Sequence, residues 1–288
     1  MGISCVTLNY NDAEETVKFI KSIYDYGSVH KIIVVDNCST DNSLEILKKY
    51  EDERVIVISA PKNGGYGYGN NIGVNYVHDI LKDDYAIISN PDVFFKEEIV
   101  LQMISLLKNY PDAAVVSALQ KDIKGINTRR AWRIPSLNEL MLSEIKCGKK
   151  RQFFDKCIYS DTYLNKENTI KVDCVLGAFF AINTNHFIEV GEYDENMFLF
   201  YEETVLGIKM KNAGYKTLLI TDMTYDHNHS HSLNRSIKSE ISKYRLLVES
   251  RLYLMKNYYD ADSFHLFGAV LVREYWILKM RLKELLGI

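Results

Sequence analysis

Short, wholly apolar runs alternate with longer amphipathic segments along the first 120 residues. "ISCVTL" (3–8) predicts a strand, followed by a helix from about Asp12 to Tyr26. Asn11 and Glu14 resemble a capping box for that helix, and Gly27 a C-terminal stop. "KIIVV" (31–35) predicts a fully buried strand, and "VIVI" (55–58) and "YAIIS" (85–89) the third and fourth strands. Helices are predicted over 43–50, after the glycine-rich "NGGYGYGNNIG", and over 97–110, where Pro111 ends the last of them. "AAVVSA" (113–118) is a further strand. This alternation implies an α/β fold, a mainly parallel sheet covered by helices on both faces.

Regularity lapses over 119–169, a stretch that holds the basic cluster "TRRAWR" (128–133) and predicts an excursion from the sheet. Order resumes with "IKVDCVLGAFFAIN" (170–183). The turn "GEYDENMFLFYEE" then leads to the helix "ETVLGIKMKNAG" and the strand "YKTLLIT" (215–221). A helix from about Ile237 to Tyr259 and a last helical segment over 264–286 follow.

Polar residues gather just after the strands: Asn9, Asn11, Asp36, Asn37, Asn63, Asn90 and Asp92. In a parallel sheet these ends share one edge, where open α/β sheets bind their ligands. Pro91 has no N–H, so it ends ladder pairing, pushes Asn90 toward an extended or turn conformation, and leaves Asp92 at the end of a strand. A carboxylate there suits a hard divalent cation beside phosphates, and Mn²⁺ also accepts imidazole. His227-x-His229-x-His231, if extended, points three imidazoles to one side of the chain. The plain alternatives are a solvated turn and a surface run of histidines.

Glu202 and Glu203 open a helix, a place that favours carboxylates for electrostatic reasons alone and also suits a general base. The spacing Gly67-x-Gly69-x-x-x-Gly73 misses the dinucleotide fingerprint and follows the third strand instead of the first. Two readings stay open for that loop: close backbone approach to a phosphate or ribose, and a tight turn with no ligand.

Composition removes several classes. The 288 residues are 47% hydrophobic and 25% charged, with a formal net charge of −3, which leaves no basic excess for a nucleic-acid partner. Five cysteines without a CxxC pair point to a reducing cytosol and away from a disulfide or zinc scaffold. No apolar run approaches the roughly 18 residues of a membrane span, and no secretory signal pattern opens the chain. The expectation is a cytoplasmic protein, either soluble or attached to the inner face of the cell membrane.

Six segments in order resemble the inverting glycosyltransferases of family 2, with the GT-A fold: "VTLNYN", "VVDNCSTDNS", "NGGYGYGNNIG", "NPD", "GAFFAIN" with "FLFYEETVLGIKMKNAGY", and "HNHSHS". The resemblance covers 3–118 and 170–260. It implies a Rossmann-like sheet with a C-terminal helical extension: a GT-A domain over 1–235, divided into a nucleotide-binding half (1–118) and an acceptor and catalytic half (119–235), then the extension over 236–288. It further implies that Thr7, Asn9, Asp36, Asn63, Gly65, Asn70, Asn90 and Asp92 line the nucleotide-sugar donor, with Asp36 on the base. Asp92 would hold the Mn²⁺ or Mg²⁺ that bridges the diphosphate, aided by His229, with His227 as the alternative. Glu203, where the family has an Asp, would deprotonate an acceptor hydroxyl on a glycan or lipid-linked acceptor, with Glu202 as its competitor. Val205 stands where many members carry a second acid, which keeps a non-catalytic nucleotide-sugar-binding subunit in view.

Arg130, Trp132 and Arg133 are the acceptor-side candidates: arginine forks suit a diphosphate and an indole face suits a sugar ring. Phe264, Phe267, Leu271, Tyr275, Leu278, Leu282 and Leu285 recur at three- and four-residue steps, an amphipathic helix. The body of the protein, a second subunit in a homo-oligomer and an anionic membrane surface are all open as its partner.

Overall fold

The structure is a computed structural model that describes residues 2–122, 125–126, 130–145, 156–228 and 239–286. The chain runs β1 (Ile3–Asn9), α1 (Ala13–Ile23), β2 (Val29–Asp36), α2 (Ser43–Lys48), β3 (Val55–Ser59), α3 (Tyr66–Tyr76), β4 (Tyr85–Ser89), β5 (Val93–Phe94) and α4 (Glu97–Asn109). It continues with β6 (Ala113–Asp122), β7 (Gly125–Ile126), β8 (Ala131–Trp132), α5 (Leu137–Ile145), β9 (Thr169–Val172), β10 (Cys174–Val175) and β11 (Phe179–Asn183). The Glu202–Asn212 helix, β12 (Lys216–His227), and the helices Glu240–Tyr258 and Ser263–Leu286 complete it.

The apolar runs form the middle of a ten-stranded sheet of order β3-β2-β1-β4-β11-β6-β12-β5, with β7 on β6 and β9 on β12. The β3–β2–β1–β4 half is parallel, and β11 enters antiparallel between β4 and β6. The period of two along a strand divides the core. Ile3 and Cys5 of β1, with Ile32 and Val34 of β2, pack under α1 and α4. Val6, Ile33 and Val35 face α3 and Leu206 on the other side. Each such large side chain, fully buried, contributes about 1.5–3 kcal/mol.

The glycines of α3 serve this packing. A Cβ on Gly73 would overlap Val6 Cγ1, and one on Gly69 would overlap Leu8 Cδ1, so the helix lies close on β1 only because both lack side chains. Gly65 has φ 92, and a Cβ there would overlap the Phe198 carbonyl, which accepts the Tyr66 N–H at 3.0 Å. The first amide of α3 is therefore engaged within the protein.

Several local expectations are corrected. Asn11 does not cap α1; it has φ 54, and its Oδ1 accepts the Thr40 N–H, tying the β1 loop to the β2 loop. The residue before α1 is Asp12, with no side-chain cap bond, and the helix ends before Gly27. Residues 170–183 form three short strands, because the chain leaves the large sheet at Asp173 to pair β10 with β8. The last strand of the sheet runs beyond Thr221 to His227, with its register shifted between Ile220 and Thr224. The excursion before β9 holds β7, β8 and α5 among its described residues. No helix among the described residues is long and apolar enough to cross a membrane.

Candidate active site

Asn90-Pro91-Asp92 forms a turn closed by the Val93 N–H on the Asn90 carbonyl at 3.3 Å, with proline at its favoured second position. The Asn90 N–H is held by the Ala178 carbonyl at 2.8 Å. The end of β12 pairs antiparallel with β5, His227 opposite Val93, and the Asn228 N–H bonds to the Asp92 carbonyl at 3.0 Å. This ladder carries His227 onto Asp92. Its Nε2 lies 3.1 Å from Asp92 Oδ1, and both residues are buried.

The other face of the imidazole is fixed as well. His227 Nδ1 lies 3.2 Å from Gln120 Oε1, which also accepts the Tyr225 hydroxyl at 3.3 Å. With Nδ1–H donating to that oxygen, Nε2 turns its lone pair toward a carboxylate oxygen, so a proton or a cation must lie between them. Two ligands at right angles on one ion, each at about 2.0–2.1 Å, are about 3 Å apart, the spacing present here. The donor set, one carboxylate and one imidazole oriented by an amide oxygen, fits a divalent ion that takes its remaining ligands from phosphates and water. Among the described residues no group of three or more His, Cys, Asp and Glu could hold a metal by itself. His229 lies outside the described residues.

Apart from Asn90 and Asp92, the donor-side candidates fall into one network and two outliers. Asp36 Oδ1 accepts Asn9 Nδ2 at 2.8 Å and Ser39 Oγ at 2.6 Å, while its Oδ2 takes the Ser39 N–H at 3.1 Å. Asp36 thus shapes the loop around Cys38, which is left-handed at φ 60. Asn63 Oδ1 accepts both Asn37 Nδ2 and the Gly65 N–H, joining the β2 and β3 loops. Thr7 Oγ1 is buried on β1 between β2 and β4, with no hydrogen-bond partner among the described residues. Asn70 is buried within α3, where its amide donates to the Tyr66 carbonyl.

Phe200 and Tyr201 both adopt left-handed backbone, φ 74 and 67, immediately before Glu202 and Glu203. Such strain costs on the order of 1–3 kcal/mol per residue and needs outside support. The Glu240–Tyr258 helix supplies it: Ser250 Oγ donates to the Leu199 carbonyl at 2.6 Å, Tyr253 and Tyr258 donate to Asp194, and Arg251 lies over the Tyr201 ring.

The two glutamates have different surroundings. Glu203 Oε1 accepts the Gly177 N–H at 3.3 Å. Glu202 is buried, and its Oε2 has no hydrogen-bond partner among the described residues. Burial, and then the charge of Glu203, push the Glu202 carboxyl well above the ordinary range. The charge of Glu203 also adds to the effect of burial in raising the Tyr66, Tyr193 and Tyr225 hydroxyls. Since Tyr225 also bonds Gln120 beside His227, the glutamates and the Asp92–His227 pair belong to one polar interior.

The acceptor-side candidates are engaged internally. Trp132 is only 4% exposed and its indole N–H donates to Thr204 Oγ1 at 3.3 Å, so its ring offers no open face to a sugar. Instead it props the start of the Glu202–Asn212 helix. Arg130 pairs with Asp161, and Arg133 with Glu139, whose carboxyl that hydrogen bond holds at about 2. Gln120, Tyr66, Tyr193 and Tyr225 were not singled out in the sequence. Only Tyr225 carries a local signal, lying two residues from His227 and so on the same face of its strand.

The sequence model described as Glycosyl transferase family 2 matches residues 4–190. The rhamnosyltransferase WbbL of Escherichia coli (strain K12) is 25% identical over 273 residues, 90% of this chain and 98% of that protein. The N-acetylglucosaminyl-diphospho-decaprenol L-rhamnosyltransferase of Mycobacterium tuberculosis (strain ATCC 25618 / H37Rv) is 23% identical over 225 residues, 73% of this chain and 70% of that one. Among solved structures, GalNAc-T7 with UDP, GalNAc and Mn²⁺ aligns with a TM-score of 0.60 at 15% identity, over 80% of this chain and 44% of that one. The mannosyltransferase PcManGT from Pyrobaculum calidifontis, in complex with GDP-Man and Mn²⁺, aligns with a TM-score of 0.58 at 13% identity, over 96% and 69%. Both likenesses are of fold, and that fold is GT-A.

Proposed function

The chain belongs to glycosyl transferase family 2, an inverting family, and on that premise we propose that it moves a sugar from a UDP- or dTDP-sugar to a hydroxyl of a glycan or lipid-linked acceptor. The donor diphosphate lies along the edge formed by the ends of β1, β2 and β4. Asp92 and His227 hold a divalent ion there, Mn²⁺ or Mg²⁺, with His229 as a further ligand. When bound, such an ion offsets the negative charge that builds on the nucleoside-diphosphate leaving group. The observation that carries this reading is the approach of Asp92 to a histidine whose far nitrogen is already fixed by Gln120.

Glu203 is the general base. It accepts the proton of the acceptor hydroxyl as that oxygen attacks the anomeric carbon from the side opposite the diphosphate. The new C–O bond forms as the bond to the phosphate oxygen breaks, and the electron pair leaves on that oxygen. One displacement inverts the centre. Glu202 is buried with one carboxylate oxygen that meets no hydrogen-bond partner among the described residues, which supports Glu203 over its neighbour.

Two relatives are named as rhamnosyltransferases, which places a rhamnosyl donor first in any panel and supports a diphospho-polyprenol acceptor. The test is release of UDP or dTDP from a panel of nucleotide sugars with Mn²⁺, with Mg²⁺ and with EDTA. Metal-dependent turnover of one donor supports the proposal and names the sugar. Tight nucleotide binding without turnover, even with a diphospho-polyprenol acceptor present, would favour a nucleotide-sugar-binding subunit.

A further inference from the structure

We propose that the outer face of the Ser263–Leu286 helix is the pairing surface for a second copy of this chain. The helix carries two apolar faces. One is taken up by the body: Ala269 and Ile277 are buried, and Leu266, Trp276 and Met280 pack on clusters that include Leu254 and Val248. The opposite one faces solvent.

That outer face is regular. Leu271, Tyr275, Leu278, Leu282 and Leu285 follow steps of four, three, four and three, the a/d spacing of a heptad seam, and Phe264 continues it one heptad earlier. Their exposures are 54%, 59%, 58%, 49% and 82%, with Phe264 at 81%. At about 100° per residue these positions, and exposed Phe267 with them, span about 80° of the helix circumference, which exposed Leu286 at the end of the helix widens to about 100°. Side chains of this size and number, covered along about 30 Å of helix, approach the roughly 800 Å² per partner of a standard interface.

Charges beside the seam select the occupant. Glu274 and Arg281 flank one side, and Lys279 flanks the other. In a parallel pair, Glu274 meets Lys279 of the second copy; in an antiparallel pair it meets Arg281. Either way, two-fold symmetry makes the opposite-charge contact twice. Its present neighbour is Arg273, in a surface pair of little energetic weight. Residues 273–286 carry four basic and two acidic side chains, so charge alone does not turn away an anionic lipid surface; Glu274, placed beside the stripe, finds a partner across it only on a second helix of the same sequence.

Sedimentation equilibrium of the full chain across a concentration series tests this, and a dimer is expected. The double substitution Leu278→Glu with Leu282→Glu, at exposed positions that leave the fold intact by circular dichroism, should weaken it by at least about tenfold. Glu274→Arg should weaken it too, with recovery when Lys279→Glu (parallel) or Arg281→Glu (antiparallel) is added. A monomer at every concentration, or a dimer indifferent to the double substitution, would overturn the proposal. So would flotation of a monomeric chain with phosphatidylglycerol vesicles that Glu274→Arg strengthens, since that result assigns the stripe to a lipid surface.

Discussion

His227 turns Nε2 to within 3.1 Å of Asp92 Oδ1 while its other ring nitrogen faces Gln120 Oε1, although the histidine and the aspartate are 135 residues apart in the chain. A cation shared by the two side chains and an imidazole proton shared by them both fit this spacing, and substitution of the aspartate separates the two. We expect Asp92→Ala to abolish Mn²⁺-dependent binding of UDP or dTDP, measured by titration calorimetry. Undiminished binding would remove Asp92 from the site.

Gln120 tests the same arrangement one step back. Gln120→Leu keeps Asp92 and His227 but removes the oxygen that fixes the ring. Loss of such an orienting partner costs about 10–100-fold in metal affinity. Mn²⁺ titration in the presence of nucleotide should show that loss with the fold unchanged. An unchanged affinity would mean that His227 meets Asp92 as a structural pair.

The glutamates are separated by kinetics. Glu203→Gln should leave donor binding intact and lower transfer by about 10²-fold or more, the usual contribution of a general base. Should Glu202→Gln produce that loss while Glu203→Gln stays active, the base is the preceding residue.

Much of this was legible locally. The apolar runs of β1, β2 and β4 read as buried strands because both faces of a central parallel strand are covered, and only small polar residues such as Ser4 and Thr7 stand among the buried positions. Pro91 marked the strand end that presents Asp92. Gln120 was illegible because only the register of β6 against β12 sets it opposite Tyr225, a pairing across 105 residues. Trp132 misled because a basic sequence around an indole looks like surface, whereas β8 pairs with β10 and turns the ring inward. The glycines of α3 leave a ligand contact and a tight turn both open in the sequence. What Gly69 and Gly73 set is the depth at which the helix sits on β1, a tertiary property that no spacing rule carries.

Glu202 makes a prediction about pH. Its folded-state pKa is raised well above the ordinary 4.5 by burial and by Glu203. Above that ordinary value the unfolded chain releases a proton that the folded chain keeps, so the group's contribution to stability declines as pH rises toward the raised value. Glu202→Gln has no such proton to lose. Thermal unfolding from mildly acidic to mildly alkaline pH should show a shallower decline for the variant, with its advantage growing as pH rises. Parallel curves would mean that the carboxyl ionises at its ordinary pKa despite its burial.

Gly73 makes a prediction about stability alone. A Cβ there would overlap Cγ1 of Val6, a β-branched side chain with little rotamer freedom in the centre of β1, and Val35 lies close behind it. At Gly69 the overlap falls on the far end of Leu8, which can rotate away. Gly73→Ala should therefore cost about 1–3 kcal/mol, the usual range for an overpacked core. At about 2–4 °C per kcal/mol for a chain of roughly this size, the fall in Tm is easily measured. Gly69→Ala should cost less, and Val6→Ala should recover part of the loss at Gly73 by opening the space that the new methyl needs. If the two alanine variants unfold at the same temperature as the parent, α3 does not rest on β1 at the depth described.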